Sequence, residues 1–258
     1  MIKEIFSDSF AQKENYLTNI DARIKLIFVI ATMVLCLLSA KSFLPLGIAV
    51  AAICFLGTIK VPFRVMLVRF SAPLGIALTV VLLQIFLFGK IPIIKVHLFG
   101  YTLVGYMEGL QRGLLILSRV TATVSLVIFL SMTTPLNKLL AAAGYFKVPA
   151  TWIEITMLAY RYIFMLFEDV SIVRDAQKMR LGYSNVARSL RSIGELAGAA
   201  VIKAYDQSLA VQEAMMLRGY KEKVIYSSAA KFTPGDNVAA VIFTAFFLTL
   251  LIINFNIR

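Results

Sequence analysis

Five apolar stretches, each closed by a charged residue, constrain this chain more than any other feature. They are Leu26 to Ala40 between two lysines, Ser42 to Ile59 before Lys60, Phe70 to Gly89 between Arg69 and Lys90, a fourth within Gly113 to Met132, and Asn237 to Ile257 between Asp236 and Arg258. A bilayer core of about 30 Å is crossed by roughly 20 apolar residues in a helix. Hydrophobic residues make up 60% of the chain and charged residues 16%, against roughly 25% charge in a soluble domain. The pattern predicts an all-α polytopic membrane protein, with about five transmembrane helices plus cytoplasmic amphipathic helices. The first stretch reaches only about 22 Å at 1.5 Å per residue, so its flanking lysines must snorkel. Three parts are expected: a membrane domain of four spans over residues 1–132, a cytoplasmic helical segment over 133–235, and a last transmembrane helix over 236–258.

Charge placement sets the topology. The formal charge is +12, and it lies between apolar runs rather than on a soluble face, which argues against a nucleic-acid partner. Lys60, Arg64 and Arg69 follow the second span, and residues 133–235 hold many more cations; the opposite loops hold Lys41, Lys90 and Lys95. The bias predicts a multi-pass protein of the inner (plasma) membrane, with the N-terminus and the long segment cytoplasmic. Residues 1–21 show no cleavable signal, so the first span acts as its own address. Cys36 and Cys54 read as buried free thiols. The stretch from Lys90 to Leu103 suggests a small hairpin or an interfacial strand.

The segment after the fourth span is too charged to cross a membrane and too apolar to stand alone in water. Thr134 and Pro135 open a short helix to about Ala143, stopped by Gly144. A long helix is predicted from Ala150 to about Leu181, with Glu154, Arg161, Glu168 and Asp175 recurring every seven residues as one polar stripe. Another runs from near Ser184 to Arg218, and its Gly194 and Gly198 permit a close helix crossing. Met179-Arg180-Leu181-Gly182-Tyr183 and Met216-Leu217-Arg218-Gly219-Tyr220 are near copies 37 residues apart at Met, Gly and Tyr. Each is read as a helix end in which a glycine takes the left-handed conformation and an arginine sits in the last turn. Ordinary capping explains the pair as well as two matched arginine-tipped ends that dock two copies of one partner, or two halves of a dimer.

At these residues the chain resembles the transmembrane (T) component of energy-coupling factor transporters, ATP-driven importers, and within them the cobalt/nickel CbiQ type. Asn19-Ile20-Asp21-Ala22-Arg23-Ile24-Lys25-Leu26 is similar to the family's Asp-Pro-Arg-x-Lys-Leu start of the first span, with Ala22 in place of proline. Thr133-Thr134-Pro135 resembles the Thr-Thr-Pro end of the span before the coupling helices. Ala159-Tyr160-Arg161-Tyr162, Glu168 and Asp175-Ala176-Gln177 resemble the Arg-Tyr…Glu…Ala run. The two arginine sites correspond to paired Ala-Arg-Gly motifs, closely at Leu217-Arg218-Gly219 and less so at Met179-Arg180-Leu181. The resemblance implies that Arg180 and Arg218, with Met179, Gly182, Leu217 and Gly219, engage two ATP-binding cassette ATPase subunits. Arg161, Glu168 and Asp175 would support the coupling helices. A separate membrane-embedded substrate-binding (S) subunit would carry the cargo, cobalt or nickel ions. A T subunit serving a vitamin, or a conventional permease subunit, is the alternative.

Catalytic signatures are missing. The sequence has no Gly-x-x-x-x-Gly-Lys-Ser/Thr and no His-Glu-x-x-His, so ATP and magnesium are expected on the partner ATPases, and no cofactor or metal in this chain. His97, the single histidine, reads as a surface residue, since a metal site needs three or four converging ligands. Glu108 and Arg112 are spaced for a helical pair, and Arg119 is expected to snorkel or to contact another subunit. Arg161 is expected deep in its helix, paired with an acid of a neighbour. A membrane enzyme acting on lipid would need polar groups clustered near Arg64 and Arg69 or Arg161.

Overall fold

A computed structural model describes residues 20–58, 63–87, 89, 92–98, 101–220 and 234–257. Among them are eight helices and one antiparallel hairpin: α1 (Ala22–Leu38), α2 (Phe43–Thr58), α3 (Phe63–Leu87), β1 (Pro92–Leu98), β2 (Tyr101–Tyr106), α4 (Met107–Thr133), α5 (Leu136–Tyr145), α6 (Ala150–Met179), α7 (Val186–Leu217) and α8 (Pro234–Ile257). The protein is an all-α polytopic membrane protein, with the hairpin where the sequence suggested one. Two compact units form, one from Met1–Leu139 with Ala230–Arg258, the other from Leu140–Ala229. The last helix thus belongs to the same unit as the first four.

In the first unit α4 is the central helix, packed on α1, α2 and α3. Small residues make that approach possible: Gly109, Gly113, Ser118, Ala122 and Ser125 lie buried along it. A methyl added at Gly113 meets Val81 Cγ1 at 3.1 Å, so α3 runs against α4 there. The hydroxyls of α4 do not need water. Ser118, Thr121, Thr123, Ser125 and Thr133 donate to carbonyls one turn back in the same helix, which keeps a polar helix tolerable in hydrocarbon. Around it Val29, Cys36, Leu44, Ile48, Leu56, Phe129 and Met132 form a packed core. The outward faces of α1, α2, α3 and α8 are apolar and exposed, as lipid-facing helices must be. Three helices, Arg64–Leu87, Met107–Thr133 and Gly235–Phe255, are long and apolar enough to span. The helices α1 and α2 have 17 and 16 residues, about 25 Å each. Cys36 is buried as expected, but Cys54 faces outward.

The second unit is an antiparallel pair of long helices. Four contacts set one register along it: Glu154 with Tyr220 (3.3 Å), Met165 with Gln207 (3.3 Å), Asp169 with Lys203 (2.7 Å) and Gln177 with the Ser192 carbonyl (3.0 Å). Local sequence explains the ends. Pro149 precedes α6, and the Asn185 side chain accepts from Val186 N–H at 2.6 Å to cap α7. Gly144 does not stop the short helix, which runs on to Tyr145; the left-handed residue is Lys147 (φ 61°). Gly194 and Gly198 are not a crossing point either, since a methyl at either one meets nothing within 4 Å.

Candidate functional site

The two arginine motifs end helices in the same way. In α6, Gly182 N–H bonds to the Gln177 carbonyl (2.9 Å) and Leu181 N–H to Lys178 (3.1 Å). In α7, Tyr220 N–H bonds to Met215 (3.0 Å) and Gly219 N–H to Met216 (3.0 Å). This paired closure satisfies carbonyls that a helix end leaves open. Arg180 and Arg218 occupy the equivalent cap position in each. The structural repeat is therefore 38 residues, one more than the sequence echo at Met, Gly and Tyr suggested.

That shift reassigns the glycines. Gly219 is left-handed (φ 76°), as expected. In the first elbow the left-handed residue is Leu181 (φ 57°), a conformation that costs a side-chain-bearing residue about 1–2 kcal/mol. Gly182 serves close approach instead: a methyl there meets Ser192 Oγ at 2.7 Å and the Gln177 carbonyl oxygen at 2.9 Å. Ser192 Oγ donates to the Gly182 carbonyl (3.0 Å), and Tyr183 Oη donates to Gln177 Oε1 (2.9 Å). The first elbow is thus a closed network, while the second is tied to the start of α6 through Tyr220 and the buried Glu154.

Both elbows present an arginine beside bare apolar side chains. Met179 is 86% and Leu217 90% exposed, and Arg180 and Arg218 are exposed as well. The antiparallel register puts the two elbows at opposite ends of the helical pair. Along α7 from Ser192, beside the first elbow, to Arg218 is about 39 Å at 1.5 Å per residue.

The three residues expected to support these helices lie along α6. Arg161, Glu168 and Asp175 are exposed, and Arg161 has no acidic partner among the described residues, so it is not the buried ion pair anticipated. Among the described residues Asp175 pairs with its neighbour Arg174 (3.5 Å). The helix-to-helix ion pair is made by Asp169, one position from Glu168, with Lys203. A seven-residue count alone could not choose between two adjacent acids; the requirement for a cation at the antiparallel position could have.

In the membrane unit two cations cross between α1 and α4. Lys25, fully enclosed, donates from Nζ to the Thr133 carbonyl at 3.3 Å, and Arg119 donates from Nη2 to the Ser39 carbonyl at 2.6 Å. Each cation thus sits on the C-terminal end of the other helix, where the carbonyls are open and the dipole is negative. Asp21 caps α1 through Arg23 N–H (2.9 Å), and its own N–H donates to Asp236 Oδ1 (2.9 Å). Enclosure disfavours the Lys25 charge most and Lys138 opposes it too, while the carboxylates of Asp21 and Asp236 favour it. Arg119 is occupied within the chain rather than snorkelling. Among the described residues Glu108 and Arg112 form no ion pair. Among the described residues no three metal-ligating side chains converge; the side chain of His97 lies outside those residues.

Residues 13–228 match the CbiQ family, described as cobalt transport protein. The chain belongs to that family. An uncharacterized protein of Methanocaldococcus jannaschii is 31% identical to it, over 93% of this chain and 88% of its own. The cobalt transport protein CbiQ of Rhodobacter capsulatus is 30% identical over 178 residues, 67% of each chain. A putative fused cobalt transport protein CbiMQ of Methanocorpusculum labreanum is 27% identical, over 91% of this chain and 40% of that longer one. The CbiQ match runs through both units and takes in Lys25, Thr133, Arg180 and Arg218. As a CbiQ-family protein, the chain is a membrane component of cobalt transport.

Proposed function

We propose that this CbiQ-family chain is the transmembrane coupling (T) subunit of an energy-coupling factor importer. In this reading it binds no cargo and no nucleotide. It passes ATP hydrolysis in two cytoplasmic ATPase subunits, which hold the ATP and magnesium, to a membrane-embedded substrate-binding subunit. The N-terminus and residues 140–229 face the cytoplasm, across the inner membrane. The observation that carries the reading is the pair of equivalent arginine-capped elbows, exposed at opposite ends of one helical pair. An arginine fork beside an apolar knob suits a groove that offers carboxylates or carbonyls at a greasy rim. Two such knobs on one chain suit two like subunits. The exposed apolar side chains of α6 and α7, Trp152, Ile155, Val201 and Ile202 among them, suit a membrane partner. The fused relative supports a second chain of the same transport system.

Cobalt is the cargo that the family description favours, with nickel the near neighbour in coordination chemistry. Pull-down of the ATPase subunits in mild detergent tests the coupling role. Arg180→Ala and Arg218→Ala should each reduce recovery about tenfold, the loss of roughly 1.4 kcal/mol of contact energy, and the double variant should lose it. Wild-type recovery in all three, with the wild-type elution profile kept, sinks the proposal.

A further inference from the structure

The first unit has one level at which its helices differ in polarity. The chain leaves α1 at Ser39 and turns into α2 at Phe43. Parallel contacts between α1 and α8, Asp21 with Asp236 and Phe28 with Phe243, share one spacing and bring Asn254 of α8 level with Ser39. On these three helices that level is polar: Ser39, Lys41, Ser42 and Asn254. On α3 it is not. Gly113 lies against Val81, and Arg69 Nη1 donates to Ser131 Oγ at 3.4 Å, which puts Arg119 and its partner Ser39 level with the stretch around Leu78. There and beyond, Ile76, Leu78, Leu82, Leu83, Phe86 and Leu87 are all exposed and apolar.

The helix α4 shows both faces of this step. From Thr133 to Arg119 it is covered by α1, over about 21 Å. It continues about 18 Å further to Met107 with α1 gone. In that part the face that met α1 carries Arg112 and Glu108, seven and eleven residues before Arg119 and so on the same side of the helix. Arg112 and Lys41 are exposed, and neither makes an ion pair among the described residues. Two exposed cations, Lys41 and Arg112, thus border a notch with one acid, Glu108, beside them, while Arg119 is held on the Ser39 carbonyl. Directly below it Leu38 (71% exposed) and Phe43 (77%) offer apolar surface. Apolar surface under a cationic rim is the complement of a phospholipid, with acyl chains below and phosphate above.

We propose that phospholipid headgroups on the β-hairpin side descend into this notch and rest on the α1–α2 turn, with Lys41 and Arg112 receiving the phosphate. The bilayer is then thinner along α1, α2 and α8 than along α3. Non-helical backbone at residues 39–42 is solvated by headgroups rather than stranded in hydrocarbon. This does not depend on the coupling role.

Depth-resolved fluorescence quenching tests it on the full-length chain in phospholipid vesicles. The background is Cys54→Ser, with the enclosed Cys36 retained. A small fluorophore is attached at Ala40→Cys or Ile76→Cys, two positions at about the same level. Quenchers are a phospholipid spin-labelled on its headgroup and one labelled deep in its acyl chain. The ratio of headgroup to acyl quenching should be at least about twofold higher at position 40 than at 76, as expected across a mismatch of this size. Lys41→Leu should pull position 40 toward the acyl quencher. Equal ratios at the two positions overturn the proposal, as does an unchanged ratio in Lys41→Leu. If neither quencher reaches position 40, the notch holds water or protein and the lipid assignment fails.

Discussion

Leu181 and Gly219 occupy the same left-handed position in two equivalent elbows, yet only one of them is a glycine. The strain is local and the remedy is specific. Leu181→Gly should raise the unfolding midpoint, with a gain of about 0.5–1 kcal/mol after the entropy of an added glycine is counted. Gly219→Ala should lower it by about 1 kcal/mol, although a methyl there meets nothing. Thermal unfolding in one detergent measures both, and opposite signs are the expected outcome. Equal signs contradict the assignment of the cap positions. The sequence showed both arginines and both glycines but not their alignment. A repeat matched on Met, Gly and Tyr favours a spacing of 37, while the backbone bonds favour 38, because a leucine has taken the place where a glycine is usual. Arg161 was misread for a related reason. Its apolar neighbours imply burial only if another helix covers them, and Arg161 is exposed although Glu154 and Met165, a few residues to either side, meet α7.

Among elements, the contact between α1, α4 and α8 is the one held by charge. Asp236 accepts Asp21 N–H and offsets the Lys25 ammonium. Asp236→Ala should destabilise the protein by about 2–4 kcal/mol, since it leaves an enclosed cation with one carboxylate fewer. Adding Lys25→Met should recover part of that loss, because the charge in need of compensation is then absent. A double-mutant cycle by thermal unfolding checks this, and strict additivity would count against the cluster. Helices were legible here to within a few residues at most ends, because apolar length, flanking charge and capping residues agree. The exceptions are α3 and α4, which start at Phe63 and Met107 rather than near Phe70 and Gly113: Arg64 and Arg69 in one, Glu108 and Arg112 in the other, hid the first turns from a reading based on hydropathy. Asp169–Lys203 escaped for another reason. It depends on the register between two helices, which neither helix records alone.

For the whole molecule, sidedness is the property on which the functional reading turns. Position 181 of the first elbow is exposed, so Leu181→Cys in a Cys54→Ser background gives a single reactive thiol. A membrane-impermeant maleimide should label it in inverted vesicles and leave it unlabelled in intact cells until they are permeabilised; labelling in intact cells reverses the topology. The two-unit organisation came partly from sequence: the charged helical segment stands apart, but the return of α8 to the first unit needed the Asp21–Asp236 and Phe28–Phe243 contacts. The crossed cations of α1 and α4 have a mechanical corollary. Lys25 and Ser39 are as far apart on one helix as Arg119 and Thr133 are on the other. A slide of one helix along the other by a single residue, about 1.5 Å, therefore stretches both bonds at once. The two bonds thus resist axial sliding together, so a thrust delivered to the end of α4 is shared with α1.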